Sequence, residues 1–272
     1  MLDSRIILKE NGVVPNKALG QNFLVDENAV ERIVKLCRCD GLPVLEIGPG
    51  LGSLTSELVR SASHVTAVEI DGRMVELLTK YAECDNLNIM KADFIKLSSA
   101  EINHAMHDRA FIAAGNLPYY ITAPICQKLL DDELSIIRMV LMMQEEAAER
   151  LTAKPGDRNY VPLTVLAQQK YDISLGLKLS PASYYPTPDV NSVVMVFEPG
   201  GRTVPRNFSK VVKASFAMRR KTLMNNLQSL ANKAKAAKIL EMAELAPSTR
   251  AETLTIDQFV MLTESFNRIM ED

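Results

Sequence analysis

The run Val44-Leu45-Glu46-Ile47-Gly48-Pro49-Gly50-Leu51-Gly52-Ser53 reads as a short apolar strand entering a glycine-rich turn. Glycine has no Cβ, so such a turn bends tightly and lets the backbone lie directly against a ligand. Downstream, Leu54 to Ala62 spaces apolar residues three and four apart, the period of a helix that buries one face. Strand, glycine turn and helix form one parallel β-α unit, and the pattern continues. Val65 to Glu69, Asn88 to Met90, Phe111 to Ala114 and Ile136 to Met143 read as strands, and Gly72 to Tyr81 as a helix. Five such units predict an open, doubly wound α/β sheet of Rossmann-like class.

The pattern changes after Leu151. The loop Lys154 to Asn159 precedes a predicted helix over Pro162 to Gln169 and two strand candidates, Tyr171 to Leu177 and Ser192 to Phe197, expected to pair antiparallel at the sheet edge. Glu198-Pro199-Gly200-Gly201 is the clearest linker in the chain. Beyond it, Phe208 to Phe216, Thr222 to Ala231, Lys235 to Ala243 and Ile256 to Ile269 carry helical spacing. The expected division is therefore an α/β domain over 1–200 and a small all-α domain over 201–272.

Of 272 residues, 47% are hydrophobic and 24% charged, and no apolar run approaches the ~18 residues of a membrane span. Asp3, Arg5, Lys9 and Glu10 interrupt the N-terminal apolar stretches, which argues against a secretory signal and for a cytoplasmic protein. Cys37, Cys39, Cys84 and Cys126 form no Cys-x-x-Cys pair, so reduced thiols are expected. His104 and His107 lie three apart, but His64 is the only other histidine and no cysteine or acidic cluster adjoins them, so no metal is expected. The net charge of −2 hides an asymmetry: residues 201–250 carry eleven Lys and Arg against Glu241 and Glu244, a local charge of +9. Long-range attraction to a polyanion depends on where charge sits, and here it sits in one stretch.

The turn spacing is G-x-G-x-G, whereas a nicotinamide dinucleotide fingerprint is G-x-G-x-x-G with a pyrophosphate on the helix N-terminus. Glu69 ends the second strand about 20 residues after the first glycine, where a carboxylate can accept from both ribose hydroxyls. Asp93 follows the third strand and is placed to accept from an adenine amino group. Each of these acids alone could simply cap a helix. In series after a glycine turn, with no basic phosphate partner, they suit a cofactor carrying adenosine and a sulfonium, with Gly48 and Gly50 forming its cradle.

The fourth strand runs into Gly115-Asn116-Leu117-Pro118-Tyr119-Tyr120. An exocyclic adenine nitrogen is a poor nucleophile because its lone pair is delocalised into the ring. The Asn116 side-chain oxygen and the Leu117 carbonyl can accept its two N–H bonds and draw it toward tetrahedral geometry. Pro118 fixes φ and removes a competing donor. Tyr119 offers a flat face for an extruded base. A lone Asn-Leu-Pro loop would be an ordinary structural stop, but the carboxyl end of a parallel strand is where this fold binds ligands.

These motifs resemble, nearly end to end, the KsgA/RsmA family of small-subunit ribosomal RNA adenine dimethyltransferases, which are related to the Erm methyltransferases. The resemblance runs from Lys17-Ala18-Leu19-Gly20-Gln21-Asn22-Phe23-Leu24 through Glu46 to Gly52, Asn116 to Tyr119 and Arg219-Arg220-Lys221-Thr222-Leu223 to Arg250-Ala251-Glu252-Thr253-Leu254. It implies a class I S-adenosylmethionine (SAM) methyltransferase domain and dimethylation of N6 on two adjacent adenosines in the 3'-terminal hairpin loop of 16S rRNA. It further implies a role in small-subunit biogenesis, action on the immature subunit, and a monomer. Asn22, Leu24, Gly48, Glu69, Asp93 and Asn116 would bind SAM, with Gln21 to Leu24 folding over it. Tyr184 stands where the family carries a Phe thought to sandwich the base opposite Tyr119. The chain departs from the family at Glu145, where a lysine is common, and at Val161, where a glycine is. Lys213, Arg219, Arg220 and Lys221 are read as phosphate contacts on a basic helix. Alternatives are an Erm-type enzyme acting on large-subunit RNA, a ribosome assembly factor with methylation secondary, and a nicotinamide oxidoreductase.

Overall fold

The computed structural model describes residues 4–82, 84–130, 133–200 and 202–271, so Asp3 and the linker residue Gly201 lie outside the described part. The chain divides into two compact units, one of Met1–Ala148 with Ile173–Pro199 and one of Glu149–Asp172 with Gly200–Asp272.

The first unit holds the strands β1 (Phe23–Leu24), β2 (Pro43–Ile47), β3 (His64–Glu69), β4 (Leu87–Lys91), β5 (Phe111–Asn116), β6 (Ile136–Gln144), β7 (Tyr171–Leu179, whose first two residues belong to the second unit), β8 (Tyr184–Tyr185) and β9 (Ser192–Pro199). Seven of them form one sheet in the order β4-β3-β2-β5-β6-β9-β7. Pairs β2/β3, β2/β5, β3/β4 and β5/β6 are parallel, and β9 is antiparallel to β6. Chain order reverses between β2 and β5, which opens a crevice at their carboxyl ends. The helices that flank the sheet are α1 (Ser4–Glu10), α2 (Glu27–Cys37), α3 (Thr55–Ser61), α4 (Gly72–Tyr81), α5 (Ser99–Ala105) and α6 (Thr122–Leu129), with α7 (Glu145–Thr152) leaving β6.

Strand β2 is buried at every position, as expected of a central parallel strand covered on both faces. Ile33 and Cys37 of α2, Leu58 of α3, Val44, Val65, Val140 and Val194 form one continuous apolar cluster. Helix α2 starts cleanly because Asp26 accepts from the Ala29 amide at 3.1 Å. A second cluster joins Ile7 and Leu8 of α1 to Phe23, Leu51, Met74 and Leu77. Strand β9 enters the sheet between β6 and β7, so the two late strands are hydrogen-bonded neighbours at its edge.

The second unit contains α8 (Pro162–Lys170), α9 (Phe208–Ser215), α10 (Leu223–Asn226), α11 (Lys233–Met242) and α12 (Ile256–Glu271). Its boundary differs from a single cut at Gly200, because residues 149–172 pack with the C-terminal helices. The reason is local: Tyr160 is buried with its hydroxyl donating to the Leu254 carbonyl at 2.9 Å, and the Gly156 amide donates to the Glu252 carbonyl at 2.7 Å. Phe216 stacks on Phe259 at 5.9 Å between ring centroids and meets Tyr160 at 6.2 Å. Among the described residues, no helix is long and apolar enough to cross a membrane.

Candidate active site at the carboxyl edge of the sheet

The crevice between β2 and β5 is a cleft of about 1020 Å³ including its open mouth, space enough for a nucleoside-sized ligand. Asn22, Leu24, Gly48, Gly50, Glu69, Asp93 and Asn116, far apart in sequence, all line it, as do Leu117 and Pro118. Gly48, Gly50 and Gly52 adopt φ of +67°, +57° and +84°, in the region closed to most side chains. Gly50 is the tightest for the ligand side. A Cβ there would stand 2.9 Å from Phe23 Cε1, and its amide donates to Glu69 Oε2 at 3.1 Å. Gly50→Ala is therefore expected to lose about 1–2 kcal/mol to left-handed strain and to weaken cofactor binding on top of that. Calorimetric titration with SAM beside a thermal melt checks both.

Glu69 closes β3 nearly buried, its second oxygen accepting from the Asp71 amide at 2.9 Å. Burial raises its pKa while the backbone amides oppose that shift, and lone pairs remain for a diol. Asp93 faces the cleft and also caps the short turn Phe94–Lys96, accepting from the Ile95 amide at 3.1 Å. The residue thus caps a turn and lines the cleft at once.

Glu46 was not singled out from the sequence, since inside a strand it looks like a lone polar interruption. It lines the cleft at 1% exposure, accepts from Thr55 Oγ1 at 2.7 Å, and has its pKa raised to about 7, first by burial, with the Glu69 charge adding to the rise. The folded state therefore holds this proton more tightly than the unfolded chain, so the contribution falls as pH rises from about 4.5 to about 7. At ~1.36 kcal/mol per unit the loss is about 3 kcal/mol. Glu46→Gln in the cofactor-free protein should accordingly raise the melting temperature at pH 8 and leave it nearly unchanged at pH 5.

Asn116 ends β5, paired with Met142, and the Leu117 amide is held by the Met142 carbonyl at 3.0 Å. The Asn116 Nδ2 donates to the Asn22 carbonyl at 2.8 Å. That bond fixes the amide orientation and turns Oδ1 into the acceptor available to a substrate. Pro118 has φ −59°, and its carbonyl accepts from Thr122 Oγ1 at 3.1 Å and from the Ile121 amide at 3.1 Å. The N-terminal segment is latched alongside: Gln21 donates to Asp71 Oδ2 at 2.8 Å and accepts from the Asn16 amide at 2.7 Å. This latch has no sequence signature, because its two ends are 50 residues apart.

The tyrosines differ in setting. Tyr119 is half-buried, with its hydroxyl 2.7 Å from Ser192 Oγ, while its neighbour Tyr120 lines the cleft at 59% exposure. Tyr184 does not face the cleft. Strand β8 pairs antiparallel with β1, in register Leu24↔Tyr184 and Phe23↔Tyr185, and alternation across the strand sends Tyr184 inward to 2% exposure and Tyr185 outward to 41%. A clamp with Tyr184 as its second face is therefore not what this arrangement presents.

The basic residues also differ in setting. Lys213 lies on α9, but Arg219, Arg220 and Lys221 are in the turn between α9 and α10, all exposed. Asn226 ends the helical pattern there: buried, it accepts from the Met218 amide at 3.0 Å and donates to the Ser215 carbonyl at 2.5 Å. The Arg219 guanidinium donates to the Arg158 carbonyl. Glu145, where the family favours lysine, pairs with Lys178 at 3.0 Å.

The cleft lining includes three carboxylates, Glu46, Glu69 and Asp93, and neither a lysine nor an arginine. Such a lining suits an adenosine joined to a cationic centre and offers a pyrophosphate no side-chain cation. Residues 14–268 match the family described as ribosomal RNA adenine dimethylase. The chain belongs to that family. It is 38% identical to ribosomal RNA small subunit methyltransferase A of Lactiplantibacillus plantarum, over 97% of this chain and 94% of that one. It is 40% identical to the protein of the same name from Desulfitobacterium hafniense, over 96% and 95%. Among solved structures it is similar to a dimethyladenosine transferase from Plasmodium falciparum, with TM-score 0.76 and 26% identity over 91% of this chain and 98% of that one. The fold is shared with the 23S rRNA methyltransferase ErmE, at TM-score 0.66 and 24% identity over 90% and 99%. This rRNA adenine dimethylase takes its methyl group from S-adenosylmethionine, and the glycine cradle and acidic lining fit that donor.

Proposed function

We propose that this dimethylase modifies N6 of two adjacent adenosines in the 3'-terminal hairpin loop of 16S rRNA, acting as a monomer on the immature small ribosomal subunit. The observation that carries the chemistry is the Asn116 amide, whose Nδ2 is engaged by the Asn22 carbonyl, which leaves Oδ1 as its acceptor. The names of the 38–40% identical relatives support the small subunit as the source of the RNA.

In this reading Glu69 holds the ribose of the cofactor, Asp93 its adenine amino group, and the backbone at Gly48 and Gly50 lies against it. Leu24 and Asn22 cover the site from the N-terminal side. The bound cofactor supplies a methyl group already activated by its sulfonium. Asn116 Oδ1 and the Leu117 carbonyl accept the two N–H bonds of the target amine, which withdraws its lone pair from ring conjugation and aims it. Tyr119 supports the base by stacking. Positioning and fixed dipoles carry the rate. No dedicated base is required, because the methylated nitrogen is cationic and readily releases a proton. Lys213, Arg219, Arg220 and Lys221 bind phosphates and set orientation.

Unmodified small and large subunits incubated separately with the protein and labelled S-adenosylmethionine test the assignment. Label is expected in small-subunit RNA only; transfer to the large subunit instead would replace this reading with an Erm-type one. Sedimentation of the free protein checks the monomer.

A further inference from the structure

Ser192 is the first residue of β9, paired with Gln144 at the end of β6 and exposed by only 1%. Its hydroxyl stands 2.7 Å from the Tyr119 hydroxyl. Both ends of Tyr119 are thus held: Pro118 with its fixed φ precedes the backbone, and Ser192 meets the ring at the para position. A tyrosine ring anchored only at Cα would swing about χ1, whereas one tethered at its hydroxyl keeps the direction of its long axis and so the place where the ring stands.

A second phenol converges on the same group. The Tyr184 hydroxyl is buried without a hydrogen-bond partner, near enough to Ser192 and Tyr119 to feel both, yet outside bonding geometry. A serine hydroxyl offers one proton and two lone pairs, so it has capacity for both phenols.

From this junction, and resting on the reading of Tyr119 as the platform for the target base, we infer that Ser192 is a positioning residue for the adenine, acting through the Tyr119 phenol. Ser192 touches neither base nor cofactor. It sets where the Tyr119 ring stands, and so where a base stacked on it brings N6 relative to Asn116 Oδ1.

The test is a set of initial rates of methyl transfer against concentration of unmodified small subunit, with cofactor affinity measured separately by calorimetry. Ser192→Ala is expected to lower kcat/KM for the subunit about tenfold, the size of one lost buried hydrogen bond, with cofactor affinity unchanged. Ser192→Thr, which keeps the hydroxyl, should recover most of the loss. In a Tyr119→Phe background, Ser192→Ala should cost little more, because the bond it removes is already gone. Additive losses in the double variant would overturn the inference, as would equal losses of cofactor binding and turnover. If Ser192→Ala fails to fold, Ser192→Cys, close in size with a weak donor, takes its place under the same expectations. Tyr119→Ala separates the two levels: unaffected kcat/KM there defeats the platform reading itself. A defective Tyr119→Ala beside a fully active Ser192→Ala defeats only the role of Ser192.

Discussion

Asn116→Ala is expected to reduce methyl transfer at saturating cofactor and RNA by about 10²- to 10³-fold, the scale seen when a preorganised polar group at a reacting centre is removed. Alanine deletes the acceptor for one amine N–H and the donor to the Asn22 carbonyl together. Affinity for unmodified small subunits should stay within about threefold, since phosphate contacts elsewhere supply most of it. Single-turnover rates and filter binding on the same preparation check this. Parallel loss of binding and turnover would mean that Asn116 is needed chiefly to seat the Gln21 to Leu24 segment. Asn116→Asp is the sharper comparison: it keeps an acceptor but puts a carboxylate oxygen, which cannot donate, against the Asn22 carbonyl.

Reversing Arg219, Arg220 and Lys221 to Glu is expected to weaken subunit binding about 10²- to 10³-fold at physiological salt, and to flatten the plot of log affinity against log salt by about 2 to 3. The estimate follows from counterion release, with each phosphate contact contributing a slope of about 0.7 to 0.9. Arg219 already donates to the Arg158 carbonyl, so part of its loss would be structural. The pair Arg220→Glu and Lys221→Glu, both exposed in the turn, isolates the electrostatic share. A salt slope identical to that of the unmutated protein would remove this patch from the RNA interface. Thermal melts serve as the control, because Asn226, two helical turns' worth of chain away from Met218, stitches this turn closed.

The parallel sheet was legible in the residues because a buried strand must be apolar along its length and a covering helix apolar along one face. Apart from Glu46, Thr66, Glu69 and Arg138, Val44 to Ile47, Val65 to Glu69 and Ile136 to Met143 obey the first rule, and Gly72 to Tyr81 obeys the second. The cofactor cleft was legible for a related reason. Its groups sit at strand ends, where the chain must turn, so Gly48, Glu69, Asp93 and Asn116 carry turn chemistry in the same residues that line the cleft. The sequence pattern failed where a residue's environment comes from distant chain. Residues 218–221 read as a basic helix, yet buried Asn226 holds them in a turn. Residues 149–172 look like a continuation of the sheet domain, yet Tyr160 and Gly156 bond to the segment around Leu254.

The two-residue strands β1 and β8 illustrate the same limit at the site itself. No periodicity can show in two residues, and only their pairing decides that Tyr184 is turned into the core and Tyr185 out of it.

By itself, then, the sequence determined the succession of parallel units along the chain, the acidic and glycine-rich character of the cleft, and the presence of the Asn116 turn at a strand end, because each is written in contiguous residues whose spacing matches backbone geometry. Only the tertiary structure decided which atom of Asn116 is free to accept, which tyrosine is exposed, and that Glu46 is buried with a raised pKa. Those properties belong to contacts such as Asn22 with Asn116 and Ser192 with Tyr119, made between chain segments 94 and 73 residues apart. Their energies come from burial and hydrogen bonding that exist only once the sheet has closed around them.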